Sequence, residues 1–170
     1  TNSFVGFAWK AGGAAVTNNA GSISSQVSAN VEAGFSIVTY TGTGANATVG
    51  HGLGVAPAFT IIKDRDTATN WFAWHKMLNG GAPTNYALFL NLTNAQGVDG
   101  TYYNSAMPNS TTLPIGTNAA VNSNTKHYVA YCFAEIPGFS KIFSYTGNGA
   151  ADGPFVHCGF KPKYVLIKRV

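Results

Sequence analysis

A chain of 170 residues is long enough to bury a substantial core and fits one domain or two small ones. Only 9% of its residues are charged, while 45% are hydrophobic and 20 are glycine, which excludes a charge-rich disordered chain and speaks against an Ala/Glu/Lys/Leu-rich helical protein. The net charge of +4 is small, and the ten Lys and Arg are scattered apart from Lys161, Lys163, Lys168 and Arg169, so the basic residues read as a solvated edge that discourages strand pairing and not as a nucleic-acid groove.

Strand signals dominate along the chain. Phe4 to Trp9 opens with an aromatic-rich run, and Gly12 to Glu32 follows as a long polar insertion. Phe35 to Thr41 alternates and runs into Gly42-Thr43-Gly44, a hairpin signal. Ala58 to Lys63 follows Pro57, which cannot donate to a ladder but can open a strand. Thr69 to Lys76 is a further strand candidate. Asn85 to Asn91 and His127 to Glu135 are apolar on both alternating faces, as expected of strands covered on both sides. Asn79 to Thr84, Asn94 to Asp99 and Ser105 to Thr112 are turn-rich connections. Ser140 to Thr146 and Lys163 to Lys168 complete the expected strands. No window joins a helix start, a 3.6-residue apolar period and a stop. The expected fold is therefore all-β: an antiparallel, jelly-roll-like sandwich forming a single domain over 1–170.

An internal repeat organises these elements. Gly34 to Lys63 (GFSIVTYTGTGANATVGHGLGVAPAFTIIK) returns as Gly138 to Lys168 (GFSKIFSYTGNGAADGPFVHCGFKPKYVLIK), with Tyr40 and Tyr145, Pro57 and Pro162, and Lys63 and Lys168 each 105 positions apart. The likeness extends upstream, since Phe4-Val5-Gly6-Phe7-Ala8-Trp9 matches Tyr128-Val129-Ala130-Tyr131-Cys132-Phe133. One unit thus reads over 4–63 and again over 128–168, with 64–127 the remainder of the first unit and the second incomplete. The strands of the second unit either close a pseudo-symmetric sandwich with the first or add to a neighbouring subunit, with Tyr164, Val165, Leu166 and Ile167 as the assembly strand.

Little in the sequence points to chemistry. Cys132 and Cys158 are not spaced as a metal site, and whether they pair is open. Asp64 and Asp66 share a face if extended, but Lys63-Asp64-Arg65-Asp66-Thr67 reads as a solvated turn, and Glu135 reads as a strand-end residue, so no catalytic carboxylate pair is assigned. His51, His75, His127 and His157 offer no chelating spacing, and the His51 ring is expected to hydrogen-bond backbone in a turn. No cofactor or metal is expected. Trp71 and Trp74 could stack on a sugar ring, although three positions apart they point to opposite sides of a strand, which leaves core packing for at least one. Asn46, Asn91 and Asn109 head Asn-x-Thr triplets that would accept glycans in a glycosylating host. No run approaches the roughly eighteen apolar residues of a membrane helix.

The repeated stretches, together with FAWKAGG-AAVTNNAGSISSQVSAN and YVAYCFAEIPGFSK, resemble a β-repeat module of tail-fibre-like and other virion surface proteins of aquatic phages, where it tends to follow a concanavalin-like lectin domain. The resemblance implies a structural role outside the cell or on a virion, and it brings no catalytic residues with it. The expected function is a non-enzymatic subunit of an extracellular fibre or virion appendage, forming a homo-oligomer or helical polymer with itself. A glycan-binding adhesion module is the alternative, with a cell-surface glycan as partner, and a glycan hydrolase a distant third. No nucleic-acid partner and no membrane insertion are expected.

Overall fold

The computed structural model describes residues 3–4 and 6–170. It is all-β, as expected. An eight-stranded antiparallel sheet takes β1 (Val16–Asn18), β2 (Ser25–Asn30), β3 (Phe35–Thr41), β10 (His127–Phe133), β5 (Phe59–Asp64), β6 (Phe72–His75), β7 (Tyr86–Phe89) and β8 (Gly97–Val98) in that spatial order. A two-stranded ribbon, β4 (Ala47–Gly50) with β9 (Thr112–Ile115), forms the second, smaller layer. One helical turn, α1 (Ala119–Asn122), is capped by the Asn118 side chain, which accepts from Ala120 N.

The sheet is organised around β10, which pairs with β3 on one side and β5 on the other. Cys132 faces Ser36 and Thr60, and Phe133 faces Phe35 and Phe59. Strand alternation sends Val38, Tyr40, Ile62, Tyr128, Ala130 and Cys132 inward against Val49, Leu113 and Ile115 of the ribbon and against Val121, all buried. Tyr40 and Tyr128 stack with ring centroids 5.3 Å apart, and their hydroxyls donate to Val121 O (2.8 Å) and Ala119 O (2.7 Å). Both aromatic rings thus join the core while their polar ends are satisfied.

Asn122 ties the layers together. Its Oδ1 accepts from Thr43 N at 2.8 Å, and its Nδ2 donates to Ala45 O at 2.6 Å and Gly116 O at 2.8 Å, with no exposed surface left. Gly42 is required beside it, because a Cβ there would lie 2.2 Å from Ser123 O. Gly34, at φ +64°, ends the turn between β2 and β3 in the left-handed region, and its N–H donates to Val31 O.

The named strands all lie between Val16 and Phe133. Ser140–Thr146 and Lys163–Lys168, expected as strands, form none, and the assembly segment Tyr164, Val165, Leu166 and Ile167 is exposed and outside any ladder in the single chain. The expected strand over 4–9 is likewise not formed at its described residues, Val5 being outside them. Tyr40 is buried but its repeat partner Tyr145 is 46% exposed. The physical reason is topological: in the first unit β3 and β5 do not touch as neighbours but are joined by β10, and among the described residues no such strand lies between their counterparts in the second. Cys132 and Cys158 are both free; Cys132 is fully buried, and burial pushes its thiol up to about 12 despite Ser36 beside it.

Candidate functional site

The sheet's outer face is the strongest candidate surface. Register places Ser28, Ile37, Tyr131, Ile61, Ala73 and Leu88 in one row across six strands. The next row carries Asn30, Phe35, Phe133, Phe59 and His75. Both rows lie on the face turned away from the ribbon and are mostly apolar, where strands solvated on that side would carry polar residues; at the β6–β7 end Ala73 and Leu88 are buried with Leu78 in a second small core. Ile37, Tyr131, Ile61, Phe59 and Phe133 are only half-buried. Phe133 packs on Phe35 and Phe59 at centroid distances of 4.9 and 5.6 Å.

The two flanking segments reach this face. Trp9 lies 6.4 Å from Phe35 and 6.1 Å from Phe133, and both Trp9 (5.5 Å) and Phe7 (4.8 Å) meet Tyr164 edge to face. The flanking side chains remain largely in water: Phe4 is 90% exposed, Phe7 63% and Ile167 65%. Sequence reading placed Tyr164 to Ile167 in an assembly strand but missed the outer-face rows, although the two-sided apolar pattern of β10 was their visible signal.

The remaining candidates are occupied by structural work. Asp64 is buried at the end of β5. Burial pushes its carboxyl up, but donation from Thr67 Oγ1 and from the backbone N–H of Asp66 and Thr67, with Lys63 nearby, holds it below the usual range. The expected solvated turn is instead an Asx-type turn closed over a buried carboxylate. Asp66 accepts from His127 N at 2.8 Å and pairs with the His127 ring at 3.0 Å, and that backbone donation leads the lowering of its pKa. Glu135 is ion-paired with Lys76, lies 3.8 Å from Lys141 and accepts from Ile142 N at 2.9 Å. Burial raises its carboxyl, and these partners more than offset that. Among the described residues no three His, Cys, Asp or Glu side chains gather as a metal site.

His51 behaves as its turn position implied. It is fully buried; its Nδ1 accepts from Leu53 N at 3.3 Å, so Nε2 carries the proton and donates to Asn109 O at 3.0 Å. Burial lowers its pKa, with the Asn109 hydrogen bond opposing. A depressed imidazole binds protons less readily folded than unfolded, so its contribution is full above the unfolded value of about 6.5 and is lost as pH falls through the folded one. Thermal melting should drop as pH goes from about 7.5 to about 5, and a His51→Gln variant should show a shallower drop from a lower start. The depressed carboxyls of Asp64 and Glu135 act in a separate window, below about pH 4. His75 accepts from Met77 N at 3.0 Å, and its pKa is lowered mainly by burial; His157 is exposed.

Trp74 lies in the core, donating Nε1–H to Pro83 O at 3.3 Å, whereas Trp71 is 40% exposed, so the two indoles form no common platform. The three glycan acceptors differ sharply. The Asn91 amide accepts from Trp71 N (2.9 Å) and donates to Asn70 Oδ1 (2.9 Å). Asn109 Oδ1 accepts from Thr111 and Thr112 N–H, at 2.8 Å each. Asn46 is exposed, and among the described residues its amide makes no hydrogen bond. Expression in a glycosylating host should therefore modify Asn46 and leave Asn91 and Asn109 bare, as read by peptide mass spectrometry.

The concavities are shallow. One, of about 240 Å³, is lined by Ser24, Gln26, Thr39, Tyr40, Thr41, Arg65 and His127 beside the Asp66 pair, and carries polar side chains with no free carboxylate pair. No helix among the described residues is long and apolar enough to cross a membrane.

A family model described as "Domain of unknown function (DUF7483)" matches residues 1–170. No curated protein and no solved structure matches the chain.

Proposed function

We propose that this chain, which belongs to that domain family of unknown function, is a non-enzymatic structural subunit of an extracellular fibre or virion appendage that assembles with its own copies through strand and sheet-edge contacts. The observation that carries the reading is the outer sheet face, with Phe35, Phe133 and Phe59 in one row and Ile37, Tyr131 and Ile61 in the next, flanked by Phe4, Phe7 and Val165 to Ile167 in water. Half-buried apolar side chains continuous with exposed ones, and not scattered singly, support an interaction site there. With only 9% of residues charged, little repulsion opposes contact between copies. Engagement of Asp64, Asp66 and Glu135 by structural partners weighs against hydrolysis.

Trp71 favours one second reading. Its exposed indole beside the linked amides of Asn70 and Asn91 offers a stacking face with adjacent hydrogen-bonding groups, which suits glycan binding at a fibre tip. Negative-stain microscopy of the purified chain distinguishes the two. Filaments are expected; discrete particles that bind a glycan array, with binding lost in Trp71→Ala, would replace the structural reading by the adhesive one.

A further inference from the structure

We propose that residues 4–9 of one copy insert as a strand between residues 140–146 and 163–168 of a second copy, rebuilding between chains the β3-β10-β5 order found within one. The inference rests on the self-assembly reading and specifies its contact. The three segments are the repeat counterparts of β10, β3 and β5: Phe4 to Trp9 carries the sequence of Tyr128 to Phe133, Ser140 to Thr146 that of Phe35 to Thr41, and Lys163 to Lys168 that of Ala58 to Lys63. Within the chain the first of these patterns lies between the other two, antiparallel to both. In the second set all three patterns are present and none is in a ladder at its described residues.

The register follows from the repeat. Phe133 faces Phe59, so Trp9 should face Tyr164; Cys132 faces Thr60, so Ala8 should face Val165; Tyr128 faces Tyr40, so Phe4 should stack on Tyr145. One of these pairings is already visible. Trp9 and Tyr164 meet with centroids 5.5 Å apart, close to the 5.6 Å of Phe59 and Phe133. The rings are thus complementary, yet in a single chain they touch without any backbone pairing.

The second unit also keeps residues that have no use in the isolated chain. Tyr40 needs its phenol for the bond to Val121 O, and Gly42 needs its missing Cβ because Ser123 O is 2.2 Å away; Tyr145 and Gly147 repeat both residues in open surroundings. Of these surroundings the inserted strand would supply the aromatic ring, Phe4 taking the place of Tyr128, which stacks on Tyr40 and lies 2.9 Å from a Cβ at Gly42; Val121 and Ser123 belong to the segment before β10. Donor and acceptor are different segments of the chain, so the contact is heterologous, and such a contact propagates as an open filament unless the rotation closes.

The test uses two variants of the full chain in a Cys158→Ser background, Ala8→Cys and Val165→Cys, each with one exposed cysteine besides the buried Cys132. Mixed under mild oxidation, they should give a disulfide dimer that neither variant gives alone and that Phe7→Asp in the Ala8→Cys chain abolishes. A mixture no more cross-linked than its components, in preparations that still form filaments, overturns strand insertion and leaves the assembly reading standing. Absence of any assembly overturns both. A double variant that links only within its own chain, with no mixed dimer from the single variants, likewise overturns insertion between copies.

Discussion

Replacing Asn122 with leucine is expected to cost about 3 kcal/mol or more, since it strands Thr43 N, Ala45 O and Gly116 O in the interior at once. Each unsatisfied buried group costs about 1–3 kcal/mol, and the whole stability of a small domain is only about 5–15 kcal/mol. The larger apolar side chain recovers little, because the site is enclosed by α1, the loop after β3 and the segment after β9 and was shaped around an amide. Urea denaturation should show the midpoint collapsing with the slope unchanged, and Asn122→Asp should also destabilise, because a carboxylate cannot donate to Ala45 O and Gly116 O.

The second large effect is a contrast between two glycines that are repeats of each other. Gly42→Ala should destabilise the fold by about 3 kcal/mol or more, as its new Cβ meets Ser123 O at 2.2 Å and the Tyr128 ring at 2.9 Å, and the former is backbone that cannot swing aside. Gly147→Ala meets nothing within 4 Å and should leave the monomer's stability within about 0.5 kcal/mol. On assembly Phe4 of the inserted strand would take the place of Tyr128, whose ring lies 2.9 Å from a Cβ at Gly42, so Gly147→Ala should weaken self-association. Thermal melts read the first effect and light scattering across concentration reads the second.

Much of the fold was legible in the sequence. β3, β5, β7 and β10 each fall inside or within a residue of the aromatic and aliphatic runs that marked them, and β6 lies inside Thr69 to Lys76. What was hidden has physical reasons. β2, with the sequence SQVSAN, has one strongly β-forming residue and owes its place to pairing with β3. β9 contains Pro114, which reads as a breaker; it is tolerated because the ribbon has only two strands, leaving an outer edge where no N–H is needed. α1 is too short for any helical period to show. Asn122 looked like one more asparagine in an Asn-rich loop, and nothing in its neighbours signals the two carbonyls and one amide that converge on it.

The repeat was legible as sequence and misleading as single-chain structure. Identical Tyr-Thr-Gly motifs occupy a packed strand end at 40–42 and open solvent at 145–147, because a strand depends on its neighbours as well as on its own residues. The candidate surface was half legible: Val165 to Ile167 stood out as an aliphatic run, whereas the outer-face rows emerged only when register aligned residues from six strands.

Hydrogen exchange of the assembled and the dilute chain, resolved to peptides over 140–146 and 163–168, tests the account most directly. Amides of Phe143 to Tyr145 and of Val165 to Ile167, which make no hydrogen bond among the described residues, should exchange within seconds in the monomer and become as slow as those of β3 and β5 in the assembly. Equally fast exchange of these amides in both states, with assembly verified in the same sample, would contradict it.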